Sequence, residues 1–187
     1  SATEALKNKD VDLARKIIDE DDEIDRMEKD LCDQCALIIA REQPVAGDLR
    51  HLISGIRIIT DLERIGDHAV HIAKGAVAMA GDQYIKPLVD IPRMSELACG
   101  MLSRAITAFV EQDVEKAAAT AREDIVIDQI HHQIIREILT YMLEDSRKIE
   151  GGISLMYMSR FLERTGDHVR NICEWVIFDE TGEHESL

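Results

Sequence analysis

Two pairs of carboxylates, each with its members four residues apart, recur in this chain at an offset of 100 residues. Glu63 and Asp67 lie in the heptapeptide Leu-Glu-Arg-Ile-Gly-Asp-His of residues 62–68, and residues 162–168 repeat it at six of seven positions. Side chains four residues apart share one face of an α-helix, where two carboxylates can act together on a cation. A repeat that contains acids and a glycine predicts a protein of two internal repeats.

The composition indicates that helices must position these acids. Only 4% of the residues are aromatic and three are proline, whereas Ala, Leu, Ile, Glu and Asp are abundant. Such a composition favours helix. A helix is predicted from about Ala46 to Ala80, with an apolar stripe at helical spacing that consists of Ile58, Leu62, Ile65, Ala69, Ile72 and Ala76.

A long helix is predicted immediately before this one. Asp10 is a favourable N-cap for it, and the helix extends to about Gln43, where Pro44 ends it. Residues before Asp10 are predicted to form the end of another helix. The apolar residues of the long helix follow helical rather than strand spacing and comprise Leu13, Ile17, Ile24, Met27, Leu31 and Ile38.

The second half of the chain repeats this order. Its predicted elements are a linker marked by Gly81, Pro87 and Pro92, a helix from about Arg93 to Gln112, a helix to about Arg147, a turn at Gly151-Gly152, and a last helix. The first two helices of the repeats align at offset 103, so that Asp10 matches Asp113, and the last helices align at offset 100. The turn in the second repeat is therefore three residues shorter.

The predicted fold class is all-α, with two tandem up-down-up three-helix bundles related by an internal pseudo-two-fold repeat. The first repeat is expected to span residues 1–82 and the second residues 92–182. Ser1 aligns with Arg104, yet the corresponding helix of the second repeat begins near Arg93. The first helix is therefore expected to be incomplete.

Helical geometry brings further acids to the level of Glu63 and Asp67. Asp25 precedes the turn at Val45 by 20 residues, and the midpoint of Glu63 and Asp67 follows Val45 by 20, so the two sets lie level in an antiparallel hairpin. The predicted first metal site comprises Asp21, Asp25, Glu28, Glu63, Asp67 and His71. The predicted second site comprises Asp124, Asp128, His131, Glu163, Asp167 and Asn171.

Carboxylates gathered in this way repel one another and lose hydration, so protons, arginines or a cation must neutralise them. Oxygen-rich sets with an imidazole suit magnesium, manganese or iron, and suit zinc less well. A surplus of carboxylates over the needs of one ion indicates a multinuclear cluster. The alternative is that the acids line a solvated helix face.

Gly66 and Gly166 are expected to permit close helix approach, and His68 and His168 are interpreted as surface residues or as residues that support the ligands.

Charge and apolar patterning exclude several classes of function. The formal net charge of −15 offers no cationic surface for nucleic acid. No apolar run is long enough to span a membrane, and no signal peptide is predicted, so direct membrane insertion is not expected. The four cysteines fall in apolar helical patterns and are expected to be buried thiols in a reducing cytoplasm, with a metal or redox role as the minor alternative.

These motifs together resemble the PhoU family of phosphate-transport accessory and signalling proteins. The family's Glu/Asp-xxx-Asp signature is matched by Glu63 and Asp67 and again by Glu163 and Asp167. Its Gln-Pro-Val-Ala-x-Asp-Leu-Arg turn is matched by residues 43–50, and its Gly-Asp-His-Val-Arg-Asn-Ile text by residues 166–172. The resemblance covers essentially the whole chain.

The resemblance implies two three-helix repeats with a multinuclear metal cluster on each, holding iron, zinc, magnesium or manganese. It also implies a cytoplasmic role in restraining the phosphate-starvation response, together with the ATPase subunit of the phosphate ABC importer and the membrane sensor histidine kinase. Two departures stand out: the first helix is short, and His71 and His131 occupy positions where the other repeat has an amide or an acid.

The leading interpretation is a metal-binding adaptor without catalysis of its own, and long exposed helical faces make a homodimer the expected assembly. The competing class is a multinuclear-metal enzyme, either a hydrolase or a di-iron oxidase. The Glu-x-x-His pairs of di-iron bundles are absent from the sequence, with Asp128-x-x-His131 as the nearest approach. No glycine-rich phosphate loop is evident either. A purely structural bundle is the third interpretation.

Overall fold

The computed structural model describes residues 1–184, and all of the regular structure in that part of the chain is helical. The helices of the first half are α1 (Ala2–Asn8), α2 (Val11–Asp19), α3 (Asp21–Glu42) and α4 (Gly47–Ala78). Those of the second half are α5 (Asp90–Glu111), α6 (Val114–Ala121), α7 (Asp124–Glu144) and α8 (Ile149–Thr181), with a short 3₁₀-helix at Ser146–Lys148. The predicted all-α fold of two three-helix bundles is confirmed.

The helix starts at Asp10 and Asp113 occur as predicted. Each aspartate accepts a hydrogen bond from the backbone N–H three residues on, at 2.9 Å in both repeats. The residue before each aspartate, Lys9 or Gln112, has a φ of 56°, which ends the preceding helix in a left-handed conformation. The two helix junctions are thus repeated in conformation as well as in sequence.

Two predicted long helices are each divided in two. α2 and α3 meet at Glu20, and α6 and α7 meet at Glu123. The backbone at both residues stays in the right-handed helical region, but the next turn uses an i to i+3 hydrogen bond, with Glu20 O accepting from Glu23 N at 3.2 Å. Each junction is therefore a local change in helix geometry, and α3 and α7 begin at the first acid of each predicted site.

The predicted turn at Gly151-Gly152 is wrong, because both glycines lie in the first turn of α8. The connection from α7 to α8 lies at residues 145–148, where the Asp145 carboxylate accepts from Arg147 N at 3.0 Å. A Cβ atom on Gly152 would lie 2.9 Å from the Met142 side chain of α7. The glycine is therefore needed for close packing of the two helices, not for chain reversal.

α4 packs antiparallel to α8, and this central pair joins the two repeats in one apolar core. The pair is tied at one end by Arg50 of α4, whose guanidinium donates to the Asp179 carbonyl at 2.6 Å. His51 Nδ1 lies 2.6 Å from the buried Asp179 carboxylate. The fully or nearly buried residues of the two long helices include Ile58, Ile72, Ala73, Ala76, Leu155, Leu162, Val169, Ile172 and Val176.

The two repeats differ in how much of the apolar face of α3 and of its counterpart α7 is buried. Ile130 and Ile134 of α7 are 6% and 2% exposed, and Ile134 lies beside Ile91 near the start of α5. Their counterparts at offset 103, Met27 and Leu31 of α3, are 52% and 44% exposed. α5 packs on α7, whereas part of the apolar face predicted for α3 is open in the described structure.

We predict that the same truncation has unequal cost at equivalent positions. Ile134→Ala should lower the free energy of unfolding by about 2–5 kcal/mol, because it leaves a cavity in a closed core. Leu31→Ala should lower it by less than about 1 kcal/mol, because the side chain is already half exposed. Urea unfolding of both variants measures the difference. An equal loss at the two positions would show that α3 is covered in solution.

Candidate functional site

The first acidic cluster lies between α3 and α4. Asp21 and Asp25 of α3 interact electrostatically with Asp67 and Glu63 of α4 across the hairpin. Burial raises the pKa of Asp21, and the charges of Asp25 and Asp67 raise it further. The pKa of Glu63 is raised by burial and then by the charge of Asp67. The structure therefore brings the predicted carboxylates of the two helices together.

One guanidinium contacts both members of the α4 pair. Arg64 Nη1 lies 3.1 Å from Asp67 Oδ2, and its Nε lies 3.5 Å from Glu63 Oε2. This arginine lies on the same helix as the acids and is more than half exposed. Glu28 extends the cluster at its edge, where it adds to the negative potential at Glu63 and lies 4.0 Å from Cys32 Sγ. The cluster is therefore strongly negative.

The second acidic cluster lies between α7 and α8, and it is more deeply buried. Asp124 is 2% exposed, and burial raises its pKa to about 6 against the opposing charge of Arg170. Arg170 Nη1 lies 2.8 Å from Asp124 Oδ2, and its Nη2 lies 3.1 Å from Asp167 Oδ1. The charge of Asp128 also raises the pKa of Asp124, so Asp128 belongs to the same acidic cluster.

Glu163 completes this cluster. Its Oε1 accepts from Arg160 Nη1 at 2.7 Å, and burial followed by the charges of Asp167 and Asp128 raises its pKa, against the opposing charge of Arg160. Asp124 Oδ1 and Glu163 Oε2 are buried and have no hydrogen-bond partner among residues 1–184. A buried carboxylate oxygen without a partner is costly and suits a bound cation.

Gly166 creates the space in which Asp124 lies. A Cβ atom at this position would overlap Asp124 Oδ1 and would lie 3.2 Å from Ile127 Cδ1. The corresponding glycine of the first repeat, Gly66, faces the Ile24 side chain instead. Both glycines therefore permit close helix approach, and in the second repeat the space is occupied by a carboxylate.

The remaining predicted ligands have other contacts. The ring of His71 stacks on Phe161 with centroids 4.7 Å apart, and the Asn171 amide donates to Asp61 Oδ1 at 3.5 Å. Both contacts join α4 to α8, so these two residues face the other repeat. His131 is buried, with its Nδ1 3.0 Å from Ser159 Oγ. Within residues 1–184, no three His, Cys, Asp or Glu side chains are already arranged to hold a metal ion.

His68 and His168, interpreted from the sequence as surface residues or as residues that support the ligands, form a pair at the α4–α8 interface. The rings of His68 and His168 have centroids 5.3 Å apart, and His168 Nδ1 lies 2.7 Å from Asp61 Oδ1. Burial, followed by the charge of His168, lowers the pKa of His68 to about 4. The repeated heptapeptides contain the signal, because equivalent residues of a pseudo-two-fold repeat can meet at its axis.

Paired three-helix bundles with an acidic cluster in each α-helical hairpin define an all-helical internal-repeat protein. The family model for the PhoU domain matches residues 1–76 and 91–176. The chain belongs to the PhoU family.

Relatives and solved structures agree with this assignment. The phosphate-specific transport system accessory protein PhoU homolog of Aquifex aeolicus (strain VF5) is 40% identical over 163 residues, which are 87% of this chain and 74% of the relative. The PhoU accessory protein of Escherichia coli (strain K12) is 36% identical over 182 residues, which are 97% of this chain and 76% of that one.

Crystal structures of PhoU from Pseudomonas aeruginosa and of the phosphate transport system regulatory protein PhoU from Streptococcus pneumoniae superpose with TM-scores of 0.93 and 0.92. Their identities to this chain are 36% and 33%. They cover 97% and 100% of this chain, and this chain covers 88% and 87% of them. The arrangement of the helices is therefore that of the family.

We predict opposite effects from alanine at two helical glycines. Gly166→Ala should destabilise the protein by about 1–3 kcal/mol, because the new methyl group displaces the Asp124 carboxylate. Gly55→Ala, in the interior of α4 with no atom within 4 Å of the new Cβ, should stabilise it by about 0.5–1 kcal/mol. Urea unfolding in chelator measures both. A stabilising Gly166→Ala variant would contradict the close packing described above.

The lowered pKa of His68 predicts a loss of stability on acidification. The unfolded chain takes up a proton near pH 6.5, whereas folded His68 stays neutral to about pH 4, so its contribution to stability is full above pH 6.5 and is lost as the pH falls. Relative to wild type, His68→Leu should therefore gain on the order of 1 kcal/mol across that interval. His132→Leu, which removes an exposed histidine from α7, is the control. Parallel pH profiles for wild type and His68→Leu would refute the assignment.

Proposed function

We propose that this protein is a metal-binding regulator accessory to phosphate transport, acting as an adaptor without catalysis of its own. Membership of the PhoU family is the observation that carries the regulatory part. Relatives that this chain covers over 74% and 76% of their length are named phosphate-specific transport system accessory proteins. A structural relative with a TM-score of 0.92 is named a phosphate transport system regulatory protein.

The metal-binding part is supported by the donor chemistry of the two clusters. Each hairpin supplies four facing carboxylates, and two buried carboxylate oxygens of the second cluster have no partner among residues 1–184. Such oxygen donors fit iron, manganese or magnesium, and they tolerate zinc. The residues that would hold the ions are Asp21, Asp25, Glu63 and Asp67 in one repeat and Asp124, Asp128, Glu163 and Asp167 in the other, with Glu28 and His131 at the edges.

A bound cation would act by removing repulsion between helices. The raised pKa values of Asp21 and Glu63 follow from burial and from the facing carboxylates, so an ion placed among them would stabilise their charged forms and draw α3 toward α4. The same applies to α7 and α8. The proposed role of the metal is therefore to fix the geometry of the hairpins, and with it the surface that they present to partners.

The proposed partners are the ATPase subunit of the phosphate importer and the membrane sensor histidine kinase, met at the cytoplasmic face of the membrane. Support comes from the relatives' description as accessory to a transport system. None of the helices in residues 1–184 combines the length and apolar character of a membrane span. The half-exposed Met27 and Leu31 of α3 support a homodimer as the assembly.

Chromosomal replacement tests this function. Deletion of the gene in the source organism should leave phosphate-responsive genes expressed in phosphate-rich medium, and the wild-type gene should restore repression. A four-site variant should restore little repression; its substitutions are Glu63→Gln, Asp67→Asn, Glu163→Gln and Asp167→Asn. When it is purified without chelator, its metal content should fall to the background level, because it loses half of the facing carboxylates.

Glu23→Gln/Asp30→Asn, which neutralises exposed acids of α3, is the matched control and should behave as wild type in both assays. Repression that persists after deletion would refute the regulatory role. Wild-type metal content in the four-site variant would refute the metal ligands. Metal-dependent phosphatase or oxidase turnover by the wild-type protein would favour the enzyme interpretation instead.

A further inference from the structure

We propose that the two clusters bind cations unequally, because Arg160 and Arg170 act as resident counter-cations of the second cluster and a metal ion must displace them there. This inference rests on the proposed metal-binding function. It adds an order of loading, in which the first cluster fills at lower cation concentration than the second. It also assigns that order to particular side chains.

The arginines of the second cluster have no equivalents in the first. At offset 100, Arg160 corresponds to Thr60 and Arg170 corresponds to Val70. Thr60 Oγ1 donates to the Ile56 carbonyl at 3.1 Å, and Val70 is 4% exposed in the core. Neither position of the first repeat can therefore direct a positive charge at its acids.

The two clusters differ in how many of their carboxylates contact a guanidinium group. In the second cluster, guanidinium groups lie 2.8 Å from an Asp124 oxygen, 3.1 Å from an Asp167 oxygen and 2.7 Å from a Glu163 oxygen. Three of its four carboxylates are thus already paired. In the first cluster, Arg64 contacts two carboxylates, at 3.1 and 3.5 Å, and Asp21 and Asp25 have no guanidinium contact within the described chain.

The residues at the edges increase the difference. Glu28 adds a carboxylate to the first cluster and contributes to the raised pKa of Glu63. Its counterpart at offset 103 is the buried His131, so the second cluster has no carboxylate at this edge. Each cluster also has one more distant basic side chain: Lys74 lowers the pKa of Asp21, and Arg164 lowers that of Glu163. The first cluster is therefore the more negative of the two.

Displacement of the arginines has a cost that is absent in the first repeat. Arg170 is two-thirds buried and bridges Asp124 to Asp167, so an ion that takes its place must first break a partly buried ion pair. Arg160 is half exposed and can swing into solvent more easily. Asp124 Oδ1 and Glu163 Oε2 remain available beside the paired oxygens of the same carboxylates. The second cluster can thus be loaded, but at higher cation concentration.

Manganese titration of the full chain tests this order, with free Mn²⁺ followed by electron paramagnetic resonance. Wild type should show two classes of site, and Glu163→Gln/Asp167→Asn should abolish the weaker class. Arg160→Thr/Arg170→Val, which installs the residues of the first repeat, should tighten the weaker class by about tenfold. Arg160→Thr alone should tighten it by about threefold and keeps the buried Arg170 pair for folding.

One reciprocal variant and one control variant complete the set. Thr60→Arg should weaken the tighter class, since it adds a guanidinium where the first repeat has none. Arg136→Thr, which removes an exposed arginine of α7 outside the cluster, should leave both classes unchanged. Circular dichroism and thermal unfolding of each variant establish that the fold is retained.

The outcomes separate this inference from the function on which it rests. Equal affinity at two acid-dependent sites, or weaker manganese binding after Arg160→Thr, would overturn the counter-cation role and would leave metal binding intact. The latter result would mean that the arginines orient the carboxylates for the ion. Failure of the wild type to bind manganese, iron or zinc at either cluster would overturn the metal-binding function and this inference together.

Discussion

Packing of α4 along α8 is the constraint on which the rest of the molecule depends. Each of these helices has one side in the shared core, where Ile58, Ile72 and Leu162 are buried, and carries its Glu-xxx-Asp pair on another side. The core fixes the rotation of both helices about their axes, and this rotation sets where the carboxylates point. α3 and α7 then bring their own acids against pairs that are already oriented. The positions of the clusters are therefore a consequence of the core.

Electrostatics within the hairpins favour separation of the helices, and apolar packing opposes it. Asp21, Glu63, Asp124 and Glu163 all have raised pKa values because they are partly or fully buried among like charges. The two clusters differ in how this repulsion is limited: the acids of the first are all partly open to solvent, whereas the second contains the buried Asp124 and is contacted by Arg160 and Arg170. Equivalent clusters of an internal repeat therefore limit the repulsion between their carboxylates by different means.

Features that depend on local sequence were predictable. Asp10 and Asp113 cap helices in the structure as they do in the sequence pattern, and the facing of Asp25 and Glu63 followed from counting residues about a single turn. Features that depend on which helix lies opposite were not. The Gly151-Gly152 pair has the composition of a turn, yet both residues lie in a helix, where Gly152 packs against Met142 and Gly151 lies beside Ile85. The contacts of His71 and His168 required knowledge of the α4–α8 pairing, which no single-helix pattern contains.

Arg160 and Arg170 were missed in the sequence for a different reason. A comparison of repeats that searches for identity finds Glu163 and Asp167 at once, but Arg170 stands opposite Val70 and therefore drops out of the alignment. Differences between repeats carry information on function when the scaffold around them is the same. The breaks at Glu20 and Glu123 were also missed, because neither has a glycine or proline to mark it.

The tie between Arg50 and the end of α8 also bears on how the chain reaches its folded state. Arg50 and Asp179 are 129 residues apart in sequence, and Asp61 and His168 are 107 apart. During synthesis, the side of α4 that packs on α8 stays uncovered until the 33 residues of α8 have left the ribosome, although α1, α2 and α3 can already pack on α4. The core of the first repeat is therefore complete only when α8 is in place. Loss of α8 would uncover one side of α4 and would remove the helix on which α5, α6 and α7 pack.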